Sequence, residues 1–121
     1  MLENLIKADR ELVLHLAGAE YFVPIGEILF FESCDGRVYA HTKERMFTAE
    51  YKLFELENIL PSTFARISKS TIANVKKISS LHREIVGNGE VRFAGCDKRT
   101  YFSRGYYKIL RDKIDEMRLG K

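Results

Sequence analysis

Closely spaced turn residues constrain how this chain folds more than any other feature of its sequence. In residues 12–41 and 85–102, short apolar or alternating runs are bounded at close intervals by Gly, Pro or Asp-Gly, so these runs are too short for a helix of several turns. Asp35-Gly36 separates the apolar run at residues 28–31 from residues 37–41, which have the composition of a returning strand. Asp-Gly between two such runs is a strong signal for a β-hairpin. The pattern predicts a mainly β protein built from small antiparallel sheets.

Other turns support the same interpretation. Gly18 divides the alternating leucines of residues 12–16 from a second run at residues 21–23, and Pro24 prevents that run from continuing as a central strand. Further hairpins are predicted at Gly87-Asn88-Gly89, between residues 85–86 and 91–93, and at Gly95-Cys96-Asp97, before residues 100–102.

Residues 49–60 have helical spacing instead. Leu53, Leu56 and Leu60 fall on one face of a helix, Thr48 is a candidate N-cap, and a proline follows the predicted end. We expect this helix to bridge sheets.

A second helix is predicted near the C-terminus, at about residues 104–118. Its apolar residues are spaced three or four apart, and Ser103 is available as a cap. Two positions remain open for it, because it can pack on the core or lie along the surface as an appendage. Its apolar residues are Tyr107, Leu110, Ile114 and Met117.

Length and composition bound the class of protein. A chain of 121 residues with 45% hydrophobic content predicts a single domain over residues 1–121 with one small core. No apolar run approaches the roughly 20 residues that a membrane-spanning helix needs, and the N-terminus lacks the features of a signal peptide. We therefore expect a cytoplasmic protein, in which Cys34 and Cys96 are reduced thiols.

Basic residues are concentrated in two windows without acids. Residues 58–83 and residues 98–111 together hold half of the 20 Lys and Arg residues and none of the 17 Asp and Glu residues. The formal net charge of +3 therefore conceals a polarised chain. A strongly basic face is what a protein needs to bind a polyanion such as nucleic acid.

Residues 66–78, RISKSTIANVKKI, are the most informative part of the first window. Apolar residues alternate there with Arg, Lys, Ser and Asn, and these polar types contact bases and phosphates in nucleic-acid complexes. This segment is therefore predicted to be a nucleic-acid contact surface.

The chain resembles the LytTR-type DNA-binding domain, the output module of many bacterial response regulators. The resemblance runs through most of the chain and implies an elongated arrangement of small antiparallel sheets, from which loops rather than a recognition helix enter successive major grooves. The matching segments are, in order, ILFFES (residues 28–33) followed by a hairpin, LENILP (56–61), FARISKSTIANVKKI (64–78) and the SR pair of YFSRGYY (101–107).

The resemblance implies three places of DNA contact. Arg37 is the nearest candidate for the polar residue at the tip of the hairpin after ILFFES. Lys69 occupies the position that most often contacts a base, with Arg66 and Ser70 beside it, and Arg104 belongs to the SR pair. Many relatives have His at the position of Ser68, so we expect this loop to prefer other bases.

Each candidate also has an alternative interpretation from its chemistry alone. The guanidinium of Arg104 can bind guanine through two parallel hydrogen bonds, worth about 1–3 kcal/mol of discrimination, or it can be a neutral surface group. Arg66 is either a phosphate contact or a salt-bridge partner within the fold. Lys76 and Lys77 either contact phosphates or form a solvated strand edge.

Several further residues favour structural roles. Asn74 matches adenine, but an Asn in such a segment more often bonds its own turn backbone. Phe30-Phe31 is expected in the core rather than on a base-stacking surface. The three His and two Cys residues match no ligand spacing, and no catalytic motif is present, so neither a metal, a cofactor nor an enzyme is predicted.

The sequence thus predicts sequence-specific binding of double-stranded DNA by a bacterial transcription regulator of the two-component type. A homodimer on DNA is compatible with short contact sites, and a receiver domain or sensor kinase system would lie outside this chain. Two alternatives remain open. One is a protein–protein interaction module on the same fold, and the other is a binder of single-stranded DNA or RNA.

Overall fold

A computed structural model describes residues 10–118, and within them ten strands form two antiparallel sheets. The larger sheet has the order β2-β1-β5-β4-β3-β7-β6 and contains β1 (Glu11–Leu16), β2 (Ala19–Pro24), β3 (Phe30–Cys34), β4 (Arg37–His41), β5 (Met46–Ala49), β6 (Phe64–Ser68) and β7 (Thr71–Asn74). The smaller sheet has the order β10-β9-β8 and contains β8 (Ile78–Arg83), β9 (Gly89–Phe93) and β10 (Arg99–Phe102). Two helices, α1 (Leu53–Ile59) and α2 (Tyr107–Arg118), complete the fold, and neither is long and apolar enough to cross a membrane. The predicted fold class, mainly β with antiparallel sheets and a C-terminal helix, is confirmed.

The predicted Asp-Gly hairpin joins β3 to β4. Asp35 and Gly36 have φ values of 51° and 80°, and Cys34 pairs directly with Arg37. Two consecutive residues with positive φ turn the chain with a twist that matches the flanking strands, which is why Asp-Gly is favoured there. The sequence therefore placed Arg37 correctly, at the exposed start of β4.

Strand β7 and the start of β3 are buried on both faces, so neighbouring residues belong to different cores. Phe31 and Ile72 lie in one hydrophobic cluster, whereas Phe30 and Ala73 lie in the other. Successive side chains of a strand point to opposite faces, so this alternation requires a cover on each side. Helix α1 contributes to the first cluster, and the three-stranded sheet with α2 contributes to the second. The core role predicted for Phe30-Phe31 is confirmed.

Helix α1 begins later than the sequence predicted. Residues 46–49 pair with β4 as strand β5, and the Thr48 hydroxyl donates to the carbonyl of His15 at 3.3 Å instead of capping a helix. The first turn is closed by Glu55, whose carboxylate accepts from the backbone N–H of Lys52 at 2.8 Å. Helix α1 contacts β3, β6 and β7, which all belong to the larger sheet, so its position differs from the bridging one that we expected.

Helix α2 packs on the core, which decides between the two positions left open by the sequence. Leu110 and Ile114 are buried in the second cluster, and Tyr107 and Met117 are partly buried against it. A short 3-10 turn, Arg104–Tyr106, precedes the helix, and the Ser103 side chain makes no capping hydrogen bond there.

The predicted strand at residues 85–86 is wrong. Strand β8 ends at Arg83, and the chain then turns, with the Glu84 N–H donating to the Asn88 carbonyl at 2.8 Å and the Gly87 N–H to the Glu84 carbonyl at 2.9 Å. Residues 85 and 86 lie outside the ladder because Arg83 already pairs with Gly89. Both apolar side chains are consequently exposed.

His41 is a polar residue within the second face of the larger sheet. Its ring stacks on Phe30 with centroids 4.2 Å apart, its Nε2 lies 2.7 Å from Glu32, and its Nδ1 lies 3.4 Å from Lys98 Nζ. Burial lowers the pKa of His41 below its usual value and outweighs the opposing effect of Glu32, while the charge of Lys98 lowers it further. The neutral ring is therefore favoured in the folded state.

We expect this histidine to make the fold less stable in mild acid. In the unfolded chain the His41 ring takes up a proton near pH 6.5, whereas in the folded chain it does so only at lower pH. Protonation of His41 therefore favours unfolding as the pH falls below about 6.5. Urea unfolding at pH 7.5, 6.5 and 5.5 measures the effect. His41→Gln should weaken this dependence, and an unchanged dependence would show that His41 is not its source.

Candidate nucleic-acid interface

The tip of the β6–β7 hairpin presents Lys69 and Ser70 to solvent. Ile67, which is fully buried, anchors the strand immediately before the tip. The Ser68 hydroxyl accepts from the Ser70 N–H at 3.2 Å, and the ladder is irregular between Arg66 and Ser68. Such an irregularity changes the direction in which side chains project, and here it lies directly beside the exposed tip.

Arg66 holds this tip from its own strand. Its Nε donates to the Ser68 carbonyl at 3.0 Å and its Nη2 to the Lys69 carbonyl at 2.7 Å. Its Nη1 forms an ion pair with Glu57 of α1, also at 2.7 Å. Of the two interpretations of Arg66, the structure contains the salt bridge within the fold, because every guanidinium nitrogen has a protein partner.

The Arg37 hairpin lies on one side of this tip. The Ser33 N–H donates to the Ser70 carbonyl at 2.8 Å, which continues the β3–β7 pairing to the ends of both strands. An open groove of about 860 Å³ lies between the two elements, and Arg37, Lys69 and Ser70 are among the residues that line it.

The Arg104 turn lies on the other side. The Ser103 N–H donates to the Ile67 carbonyl at 2.9 Å, so the chain before Arg104 is fastened to β6 two residues before Lys69. A second groove, of about 670 Å³, has Lys69, Ser103 and Asn88 among its lining residues. The tip thus stands between the two other predicted contact segments and is bonded to both.

Arg104 contacts the β8–β9 turn, and the sequence did not predict this contact. Its N–H donates to the Asn88 side-chain oxygen at 2.8 Å, and its Nη1 lies 3.5 Å from the Val86 carbonyl. Gly87 has a φ of 101°, and a Cβ there would lie 2.5 Å from the Arg104 Cδ. Gly87 and Asn88 were predicted only as turn residues, and in the structure they also hold Arg104.

Lys76 and Lys77 lie at the opposite end of the hairpin from Lys69. The four residues of β7 separate them from the tip, a distance on the order of 13 Å along the strand. The structure does not bring these lysines together with Lys69. They line a different surface, beside Gly26 and Pro61.

Asn74 has the structural role that its chemistry favoured. It is buried, its Nδ2 donates to the Ile28 carbonyl at 2.9 Å, and its Oδ1 accepts from the Lys76 N–H at 3.2 Å. The side chain therefore satisfies backbone groups of the fold.

Four of the ten basic residues in the two acid-free windows form ion pairs within the fold, and others make neutral contacts. Lys98 donates to a backbone carbonyl, and Arg83 lies 4.1 Å from the ring centre of Tyr107. Hydrogen bonds from Arg92 and Arg99 hold the pKa of Glu90 below its usual range. Lys69 and Arg104 have no carboxylate within 4 Å among residues 10–118, which leaves their charges available. The neutralising ion pairs of the windows are Arg66–Glu57, Arg99–Glu90, Lys108–Asp112 and Arg111–Asp115.

Comparison with known proteins gave agreement in sequence and in structure. Residues 18–115 match the family model of the LytTr DNA-binding domain. A protein described as an HTH-type transcriptional regulator, from Staphylococcus aureus strain bovine RF122 / ET3-1, is 32% identical over 92% of this chain and 75% of its own length. A similarly described protein from strain NCTC 8325 / PS 47 is 31% identical over the same shares.

A solved structure has the same fold. It is the LytTr DNA-binding domain of a putative methyl-accepting/DNA response regulator from Bacillus cereus, with a TM-score of 0.80 and 24% identity. The match covers 87% of this chain and 96% of that one. Because the family model spans most of the chain and the relatives agree along nearly all of it, this chain belongs to the LytTr DNA-binding domain family.

Proposed function

We propose that this domain binds duplex DNA in a sequence-specific manner and acts as a cytoplasmic transcriptional regulator. The observation that carries the proposal is the pair of backbone hydrogen bonds at the β6–β7 tip, from Ser33 to Ser70 and from Ser103 to Ile67. They join three exposed segments with free basic side chains into one surface. A continuous surface of this kind can follow a duplex and reach bases in successive major grooves.

The three segments have different parts in this proposal. Arg104 binds guanine through its planar guanidinium, Lys69 contacts a base from the hairpin tip, and Arg37 does so from the neighbouring hairpin. Ser70 donates to a phosphate. Arg66 acts by holding the tip in place.

Lys76 and Lys77 are assigned to phosphates, at the other end of the hairpin. Their contribution would be electrostatic and independent of sequence, because phosphate contacts release counterions without distinguishing bases. A homodimer on DNA and an associated receiver domain or sensor kinase system belong to the same proposal.

A protein-interaction module is the second candidate, and one observation favours it. Val13 pairs with Phe22 across β1 and β2, and the two residues are 38% and 63% exposed. An exposed apolar pair on an edge strand is a common feature of protein contacts.

A competition gel shift distinguishes duplex DNA binding from protein interaction and from binding of single-stranded DNA or RNA. Labelled duplex selected from a random pool is challenged with duplex, single-stranded DNA and RNA of one sequence. Our proposal predicts that only the cognate duplex competes efficiently. Efficient competition by single strands would favour the alternative nucleic-acid class, and absence of binding at low salt would favour the interaction module.

Arg104→Ala should reduce discrimination between cognate and scrambled duplexes by roughly 5- to 150-fold, the equivalent of about 1–3 kcal/mol. Arg104→Lys is the matched control, because it keeps the charge but loses the two-pronged hydrogen bonding. The Arg104→Lys variant should bind the scrambled duplex with wild-type affinity but should discriminate poorly between the cognate and scrambled duplexes. Equal losses on both duplexes for Arg104→Ala would exclude its base-contacting role.

Glu57→Gln tests the part proposed for Arg66. If Arg66 positions the tip, removing its ion-pair partner should lower cognate affinity more than scrambled affinity, because the tip loses its fixed geometry. If Arg66 contacts phosphate directly, releasing it from Glu57 should raise the affinity for both duplexes. Thermal unfolding of the variant shows whether the fold is retained.

Replacing both Lys76 and Lys77 by Ala should weaken binding to the cognate and the scrambled duplex by the same factor. It should also make the slope of log affinity against log salt shallower by about 2, since each phosphate contact contributes about 0.9. An unchanged slope would show that these lysines face away from DNA.

A further inference from the structure

The β8–β9 turn carries two exposed apolar side chains directly beside Arg104. Ile85 is fully exposed and Val86 is 60% exposed, although both are large aliphatic residues. The Val86 carbonyl lies 3.5 Å from the Arg104 Nη1, so the turn and the guanidinium form one unit. These residues are not explained by packing within the domain.

The turn is held rigidly. The Glu84 and Gly87 backbone hydrogen bonds close it, and the Asn88 side chain fastens it to the Arg104 backbone. A rigid turn loses little conformational entropy when a ligand binds, so its exposed side chains are suited to a specific contact.

We propose that Ile85 and Val86 contact the methyl group of a thymine next to the guanine bound by Arg104. This inference rests on the proposed binding of duplex DNA. In the major groove only thymine offers an apolar group, its C5 methyl, and proteins recognise it with apolar side chains. The juxtaposition of Ile85 and Val86 with Arg104 supplies both kinds of contact within one turn.

The chemistry beside this turn favours DNA over a protein as its occupant. The Arg104 guanidinium lies beside the turn, with its Nη1 3.5 Å from the Val86 carbonyl, and no carboxylate among residues 10–118 forms an ion pair with it. A base edge presenting guanine acceptors and an adjacent methyl matches Arg104 and the aliphatic pair together.

Replacing thymine by deoxyuridine provides the test, because it removes only the methyl group. A cognate duplex is selected from a random pool. The guanine bound by Arg104 is then located as the one whose replacement weakens binding of the wild type but not of Arg104→Ala. Each thymine within two base pairs of that guanine is then replaced singly, and the dissociation constant is measured. For the wild type, one replacement should weaken binding about 4-fold, the value of one buried methyl-sized group.

The double variant Ile85→Ser/Val86→Ser should bind the thymine and uracil duplexes equally. Both positions are exposed turn residues, so the variant should fold, which thermal unfolding checks. Phe22→Ser is the matched control, since Phe22 is 63% exposed on β2, at the opposite edge of the larger sheet from β6. It should keep the wild-type response to uracil.

Three results would overturn the inference while leaving the proposed function intact. They are a motif without thymine near that guanine, wild-type indifference to every uracil, and an equal uracil penalty in the double variant. Failure to bind any duplex would instead remove the proposed function itself, and this inference with it.

Discussion

Strands β3, β7 and β6 have apolar residues in both hydrophobic clusters, and this burial on two faces fixes the position of the elements around them. Every residue of β7 is buried, and its two apolar residues, Ile72 and Ala73, belong to different hydrophobic clusters. Helix α1 covers one side, while the small sheet and α2 cover the other. A strand that packs on both faces cannot shift its register without exposing one core, so the hairpin tip at Lys69 and Ser70 has a fixed position.

The candidate interface follows from that fixed hairpin. The backbone groups at its tip bond to the ends of both neighbouring segments, and Arg66 connects the tip to Glu57 on α1. The exposed side chains therefore stand on a rigid base, which reduces the ordering cost of binding. The two helices of residues 10–118 are separated along the chain by five strands, so they are not consecutive as in a helix-turn-helix, and the candidate contacts lie on hairpins and turns.

Local chemistry made some of these features predictable. Asp35-Gly36 located its hairpin because the turn needs residues that tolerate positive φ. The role of Asn74 was also evident from its side-chain chemistry. The start of α1 was not predictable from the sequence, because residues 46–49 pair with β4 instead of following the helical pattern. Nor does spacing along the chain reveal that Gly87 supports Arg104.

Charge was predictable only in outline. The acid-free windows identified basic segments, but acids outside the windows neutralise several of their residues, among them Arg66 and Arg99. Such pairing depends on which strands and helices come together, and the amino-acid sequence gives this only indirectly. Ion pairs thus involve four of the ten basic residues of the windows, Arg66, Arg99, Lys108 and Arg111, and the candidate contacts Lys69 and Arg104 are not among them.

Our proposal requires that the three exposed segments form one surface that contacts major grooves. Methylation interference at guanine N7 is a direct test, because N7 lies in the major groove and a methyl group there blocks a protein contact. On a selected duplex we expect two groups of interfering guanines about 10 base pairs apart on one face of the helix. A single group, or interference at no guanine despite tight binding, would contradict the account.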